Sequence, residues 1–150
     1  MPLLAICLSA LSGSFISAFV PAVNAELLLL GLAAAAPRSW LLAVVALVTL
    51  GQMGGKVLLY LAGRGVIMVP AGRARGWLDR AKTRINQYQR LGGTVLFASA
   101  FSGVPPFYLT SITAGVARFS FRGFLVFGSL GRFLRFAVVA CIPLVLKAIL

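Results

Sequence analysis

The chain has few of the side chains on which catalysis and metal binding usually depend. Among its 150 residues there is no histidine, there are only two acidic residues, and there are only two cysteines, Cys7 and Cys141. Metal sites and acid–base catalysis draw chiefly on these residue types, and the two cysteines match no metal or redox spacing. A serine nucleophile would also lack a base. The sequence therefore predicts a protein that is not an enzyme and that uses neither a metal nor another cofactor.

Charged residues are also scarce, and most of them are basic. The chain is 61% hydrophobic and 11% charged, with a formal net charge of +12. This composition is typical of integral membrane proteins. About 20 apolar residues cross the hydrocarbon core of a bilayer, so a few helices use the whole chain. We therefore expect one all-α membrane domain over residues 1–150, with a first half at about 1–63, a basic segment at 64–90 and a second half at 91–150.

The basic residues cluster between the two halves. The cluster consists of Arg64, Arg73, Arg75, Arg80, Lys82, Arg84 and Arg90. Positive charge concentrated beside membrane spans predicts that this segment is cytoplasmic, and its helical spacing of apolar residues is typical of an amphipathic helix on an anionic surface. A membrane surface explains the charge, so we do not expect a nucleic-acid partner.

The first half begins with an apolar stretch that is interrupted at Pro21 and Asn24. Proline removes a backbone hydrogen-bond donor and disfavours helix in the residue before it. The apolar arm that follows, residues 25–36, is too short to cross a bilayer alone. The pattern predicts a re-entrant hairpin that returns to the side from which it entered, followed by a spanning helix over residues 39–62.

The second half repeats this plan. Gly103, Pro105 and Pro106 interrupt the 27 uncharged residues from Leu91 to Ala117, and adjacent prolines do not fit inside a continuous helix. We expect a second re-entrant hairpin here, a basic turn at 118–122 and a last helix from about residue 123 to 150. If each hairpin returns to its own side, the second half is inverted relative to the first. Inverted repeats with broken helices are typical of transporters.

Glu26 is the only charged residue among the first 37, and it directly follows the first break. A charge in the middle of a membrane helix costs about 2.5–3.5 kcal/mol, so Glu26 needs a partner or a polar cavity. Arg132 and Arg135 lie three residues apart in the last helix and therefore share one face. Two guanidinium groups are suited to binding a lipid phosphate, with Glu26 balancing the charge. A purely structural ion pair is the alternative, and pairing of Glu26 with Arg132, Arg135 or Lys56 remains open.

Three motifs in this order resemble one membrane-protein family. The first is FVPAVNAELLLLGLAAA, the second is GQMGGKVLLYLAGR, and the third is an Ala-Gly pair followed by Gly-Arg-x-x-Arg. With them the chain resembles the DedA superfamily, also called VTT-domain or SNARE-associated Golgi proteins, and most closely its short bacterial YqaA-like branch. The residues that carry the resemblance are Pro21, Glu26, Gly51, Gly55, Tyr60, Gly63, Arg64, Ala114, Gly115, Gly131, Arg132 and Arg135.

The resemblance implies lipid translocation in the bacterial cytoplasmic membrane. Bacterial members of the family are thought to return undecaprenyl phosphate across this membrane, and eukaryotic members scramble phospholipids. We therefore expect a flippase or scramblase with a groove between two hairpins, where the anionic headgroup meets Glu26, Arg132 and Arg135. Protonation of Glu26 as the releasing step is a hypothesis, and it would couple transport to protons. Assembly as a homo-oligomer is compatible with this function, and a non-transporting scaffold or assembly factor and an ion-coupled carrier of a small solute remain alternatives to it.

Overall fold

The computed structural model describes residues 2–20, 24–65 and 85–149, and the regular structure in these ranges is helical. In chain order the helices are α1 (Pro2–Ser17), α2 (Ala25–Ala35), a short 3-10 helix (Arg38–Trp40), α3 (Leu41–Gly63), α4 (Ile85–Ser102), α5 (Phe107–Val116) and α6 (Phe121–Ile149). The expected all-α fold is confirmed. Pro21 and residues 66–84 of the predicted basic segment lie outside the described residues.

Two helical segments, Arg38–Gly63 and Phe121–Pro143, are long and apolar enough to cross a membrane. At about 1.5 Å per residue they measure roughly 39 and 35 Å, which exceeds the hydrocarbon core of about 30 Å. The last helix begins two residues earlier than predicted. The reason is a cap, because the Gly123 N–H donates to the Ser120 hydroxyl at 3.2 Å and so satisfies one of the first backbone donors of the helix.

The first apolar stretch is divided into two helices, as the sequence predicts. α1 ends at Ser17, where the Ser17 hydroxyl donates to the Ser14 carbonyl at 2.7 Å and the Ala18 N–H donates to the Phe15 carbonyl at 3.1 Å. These bonds tighten the last turn and occupy carbonyls that would otherwise continue the helix. α2 begins at Ala25, and its boundaries match the predicted arm to within one residue.

The second break also lies where the prolines predict it. α4 ends at Ser102, and Gly103 follows with a positive φ of 81°, a conformation that costs glycine little. α5 begins after Pro106, whose carbonyl accepts from the Leu109 N–H at 3.0 Å. α4 starts at Ile85, six residues before the predicted arm, so the helix continues into the polar sequence that precedes Leu91.

The chain divides into two compact units that do not coincide with the two halves of the sequence. The first unit contains residues 1–55 and 132–150, and the second contains residues 56–131. Each of the long helices α3 and α6 therefore contributes residues to both units. The boundary between the two packing units therefore falls inside each of the two candidate spans. The two halves of the sequence, in contrast, each contain one whole span.

Small and branched side chains, together with the ring of Phe136, form the core of the first unit. Its buried members are Ala10, Ala25, Leu29, Val44, Val45, Val48, Phe136 and Ala140. α3 approaches α1 closely at Gly51, where an added Cβ would clash with the Ser14 hydroxyl and the Leu11 carbonyl. Small residues at such contacts allow two helix backbones to pack together.

Aromatic rings form the centre of the second unit. The ring centroids of Tyr60 and Phe124 lie 4.7 Å apart, and those of Phe107 and Phe124 lie 6.3 Å apart. Stacked pairs of this kind contribute about 0.5–1.5 kcal/mol beyond the burial of their area. α5 meets α3 at Gly115, where a Cβ would clash with the Tyr60 carbonyl.

Candidate functional site

The candidate site begins at the first turn of α2. Asn24 caps this helix, because its side-chain oxygen accepts from the Glu26 N–H at 2.9 Å. The cap fixes the start of α2 and so places Glu26 in its first turn. A carboxylate is favoured at this position because the N-terminal end of a helix carries a partial positive charge. The break at Asn24 therefore positions an acid that the surrounding apolar sequence would otherwise disfavour.

Arg135 of α6 is the ion-pair partner of Glu26. Its Nε donates to Glu26 Oε1 at 2.5 Å, and its Nη2 contacts the same oxygen. Two guanidinium nitrogens thus converge on one carboxylate oxygen, whereas a fork-to-fork pair would use both oxygens. Of the three partners left open by the sequence, Arg135 is therefore one that contacts Glu26 directly.

The pair is only partly buried. The Arg135 side chain is 25% exposed and the Glu26 side chain is 29% exposed. Both exposures exceed those of the neighbouring core residues Leu29 and Phe136, which have no exposed surface. The charged pair therefore lies at the edge of the first unit, where a molecule from outside can reach it.

Arg132 lies one helical turn before Arg135. Its guanidinium carbon is 5.8 Å from the ring centroid of Phe136, a distance at which a cation is attracted to the face of an aromatic ring. Arg132 is half-buried, and the ring of Phe136 belongs to the core. The first unit thus places two guanidinium groups and one carboxylate among mainly apolar residues of α2 and α6.

Sequence reasoning did not single out Gln52 in the same unit. Gln52 is 3% exposed, and its Nε2 donates to the Ser17 hydroxyl at 2.6 Å. Because that hydroxyl donates its own proton to Ser14, it must accept from Gln52, and this fixes the orientation of the amide. An amide within a long apolar run is a signal that could have identified Gln52. Gly55 supports the same contact between α3 and α1, since a Cβ there would clash with Ala18.

The end of the second motif, from Tyr60 to Arg64, forms a hydrogen-bonded clamp in the second unit. The Tyr60 hydroxyl donates to the Phe119 carbonyl, and Arg64 Nη1 donates to the Tyr60 hydroxyl at 2.7 Å. Gly63 lies against the Ile112 backbone, where a Cβ would clash with the carbonyl. These contacts tie the end of α3 to α5 and to the turn that follows it, so the motif residues make structural contacts here.

The second proline break is held by hydroxyl groups. The Ser99 hydroxyl donates to the Pro105 carbonyl at 2.6 Å and lies 2.9 Å from the Thr110 hydroxyl. Ser99 and Thr110 are almost fully buried. Gly131 lies against α4, where a Cβ would come within 2.6 Å of the Ala100 methyl group. The hydrogen bonds of Ser99 at the break at Gly103, Pro105 and Pro106 thus join neutral groups, whereas the cap at Asn24 leads directly to the charged Glu26.

Lys56 is buried in the second unit, with 4% of its surface exposed. Its ammonium nitrogen lies 5.9 Å from the ring centroid of Tyr108, two residues after the second break. Among the described residues, no group of three or more His, Cys, Asp or Glu side chains is placed to hold a metal.

Comparisons with protein-family models, with curated proteins and with solved structures find no match to this chain.

Proposed function

We propose that the protein is a member of the DedA superfamily that moves an anionic lipid, such as undecaprenyl phosphate or a phospholipid, across the bacterial cytoplasmic membrane. The observation that carries this proposal is the partly exposed Glu26–Arg135 pair, which lies within long apolar stretches of sequence. Arg132 and Arg135 bind the phosphate of the lipid, and Glu26 holds Arg135 when no lipid is bound.

A purely structural role explains this pair less well. Apolar residues of similar volume often hold helices together as well as a buried ion pair, because burying two charges removes their hydration. A carboxylate among apolar residues adds a further cost in a membrane. Exposure of about a quarter of each side chain gives a ligand access to the charges, which a structural pair does not require.

The net positive charge of Glu26, Arg132 and Arg135 favours a phosphate over a cation as the ligand. Arg132 and Arg135 carry two positive charges, and Glu26 carries one negative charge. Guanidinium groups bind phosphate oxygens through paired, charge-assisted hydrogen bonds. A phosphate therefore exchanges with the Glu26 carboxylate at Arg135, and the return of Glu26 displaces it. Protonation of Glu26 would weaken its hold on Arg135, which is how a proton would enter the cycle.

The membrane arrangement is part of the proposal. α2 and α5 have 11 and 10 residues and measure about 16 and 15 Å, which is too short to cross the hydrocarbon core alone. Short helices that follow breaks support two re-entrant hairpins in an inverted repeat. The clustering of basic residues in 64–90 supports a cytoplasmic position for this segment, because positive charge beside membrane spans favours that side.

The proposal is tested with purified protein in liposomes. Transbilayer movement of labelled polyprenyl phosphate and labelled phospholipid is followed for the wild type, Arg135→Gln and Glu26→Gln. Arg122→Gln is the matched control, because Arg122 is an exposed arginine in the first turn of the same helix. We expect Arg135→Gln to slow movement by about tenfold or more, the effect of losing one charge-assisted hydrogen bond, and Arg122→Gln to stay within about twofold of the wild type.

Failure of the wild type to move either lipid would contradict the proposal. It would favour a non-transporting scaffold, in which the Glu26–Arg135 pair only fastens α2 to α6. In that case the two substitutions would change stability and leave no transport to lose. Uptake of a soluble solute by the same liposomes would favour the third alternative, an ion-coupled carrier.

A further inference from the structure

An apolar groove runs along α6 in the first unit. It has a volume of about 590 Å³ and is lined by Leu134, Ala137, Val138, Cys141, Ile142 and Val145. Ligand sites in proteins typically measure about 300–1,000 Å³, so the groove is large enough for part of a ligand. The six described lining residues are uncharged, which suits an apolar ligand.

The groove begins beside the charged pair. Arg135, Val138, Ile142 and Val145 follow one another at spacings of three and four residues, so they lie along one side of the helix. Val138, Ile142 and Val145 are 56%, 49% and 54% exposed. From Arg135 to Val145 the helix rises about 15 Å. One side of α6 therefore has a guanidinium at one end and about 15 Å of exposed apolar surface after it.

We infer that this groove binds the hydrocarbon tail of the same lipid whose phosphate binds at Arg135, an inference that rests on the proposed function. An anionic amphiphile is complementary to this side of α6. Its negative group matches the guanidinium of Arg135, and its apolar chain matches the exposed apolar surface that follows. A second copy of the chain fits less well. In a parallel arrangement its α6 would bring another Arg132 and Arg135 to the same end, and like charges oppose such contact.

Cys141 provides a reporter inside the groove. In a Cys7→Ser variant Cys141 is the only cysteine in the chain, and its side chain is exposed. The rate at which N-ethylmaleimide labels it is measured in detergent micelles, with a polyprenyl phosphate or with the uncharged polyprenol of the same chain length. We expect the phosphate lipid to slow labelling by about tenfold, the polyprenol to slow it by less than about twofold, and Arg135→Gln to remove the protection.

Two results of the labelling experiment would overturn the inference. Equal protection by the two lipids would mean that the groove takes up any hydrocarbon without reference to Arg135. Disulfide-linked dimers through Cys141 on mild oxidation, with labelling insensitive to lipid, would assign the groove to a second copy of the chain.

A transport measurement separates this inference from the proposed function. Val138→Trp fills the groove, and Val126→Trp is its matched control, because Val126 is 54% exposed on the same helix and lies outside the groove. We expect Val138→Trp to slow lipid movement by about tenfold and Val126→Trp to leave it within about twofold. If the wild type moves lipid and Val138→Trp moves it as fast, only the groove inference fails. If the wild type moves no lipid, the proposed function fails.

Discussion

The two units of this protein each contain a helical hairpin with a break, but they stabilise the break in different ways. In the first unit a cap at Asn24 leads to Glu26, whose carboxylate pairs with Arg135 at the edge of the unit. In the second unit the break is held by Ser99 and by the Pro105 carbonyl, both without charge. One break therefore presents charge to the outside, and the other encloses neutral hydrogen bonds.

This difference separates residues that we expect to take part in transport from residues that we expect to stabilise the fold. In the second unit the hydroxyl groups of Ser99 and Thr110 and the stacked rings of Tyr60 and Phe124 are buried, so they contribute to packing and are not accessible to a ligand. Solvent weakens the attraction within a partly exposed ion pair, so such a pair can exchange partners. We therefore expect changes in the first unit to alter transport and changes in the second unit to alter mainly stability.

The largest effect is expected at the contact of α5 with α3. Gly115→Ala places a methyl group against the Tyr60 carbonyl and 2.9 Å from the Arg64 nitrogen, both of which are backbone atoms that cannot rotate away. We expect a loss of about 3 kcal/mol in the free energy of unfolding. Thermal unfolding in detergent measures this loss.

Gly31→Ala is the matched control for that prediction. Nothing lies within 4 Å of a Cβ added at Gly31, which is inside α2. Alanine is a better helix former than glycine by about 0.8–1.0 kcal/mol, so this variant should be as stable as the wild type or more stable. Equal melting temperatures for the two variants would contradict the proposed packing of α5 on α3.

The next effect concerns the charged pair. Glu26→Gln and Arg135→Gln each leave one charge without its partner, and each should lower the free energy of unfolding by about 2 kcal/mol, less than the roughly 3–5 kcal/mol of a fully buried pair. The double variant should lose less than the sum of the two. Strict additivity in the double-mutant cycle would mean that the two side chains do not interact.

A smaller effect is expected from Tyr60→Phe. The substitution keeps the stacked ring and removes the hydroxyl that donates to the Phe119 carbonyl and accepts from Arg64. Loss of these bonds should cost about 1–1.5 kcal/mol, while lipid movement per folded molecule stays at the wild-type rate. An unchanged melting temperature would show that the clamp contributes no stability.

The smallest effect should be a gain. Arg118 follows α5 with a φ of 53°, where the Phe119 N–H donates to the Ala114 carbonyl and the Arg118 N–H donates to the Gly115 carbonyl. This is the Schellman arrangement, and glycine is the residue that adopts its left-handed position most readily. Arg118→Gly should therefore raise the free energy of unfolding by about 1 kcal/mol. A lower melting temperature would contradict this description of the turn.

The sequence was sufficient to place the breaks but not the ends of the helices. Asn24 and Pro106 mark interruptions through backbone chemistry that each residue carries with it. The end of α1 depends instead on the Ser17 hydroxyl and the start of α6 on the Ser120 hydroxyl. These side-chain hydrogen bonds decide at which residue a helix begins or ends, and the spacing of apolar residues does not predict them.

The candidate site shows the same limit. A carboxylate among apolar residues identifies Glu26 as unusual, and a spacing of three places Arg132 and Arg135 on one side of α6. The contact with Arg135 depends on how α2 packs against α6, which no local pattern records. Gln52 was overlooked because its partner, Ser17, is 35 residues away in the chain.

One measurement tests most directly whether function resides in the first unit. Lipid movement is measured in the same liposome preparation for the wild type, Arg135→Gln and Tyr60→Phe, and is normalised to the amount of folded protein. The account predicts that Arg135→Gln is slower by about tenfold or more and that Tyr60→Phe stays within about twofold of the wild type. Equal losses in the two variants, or a larger loss in Tyr60→Phe, would contradict it.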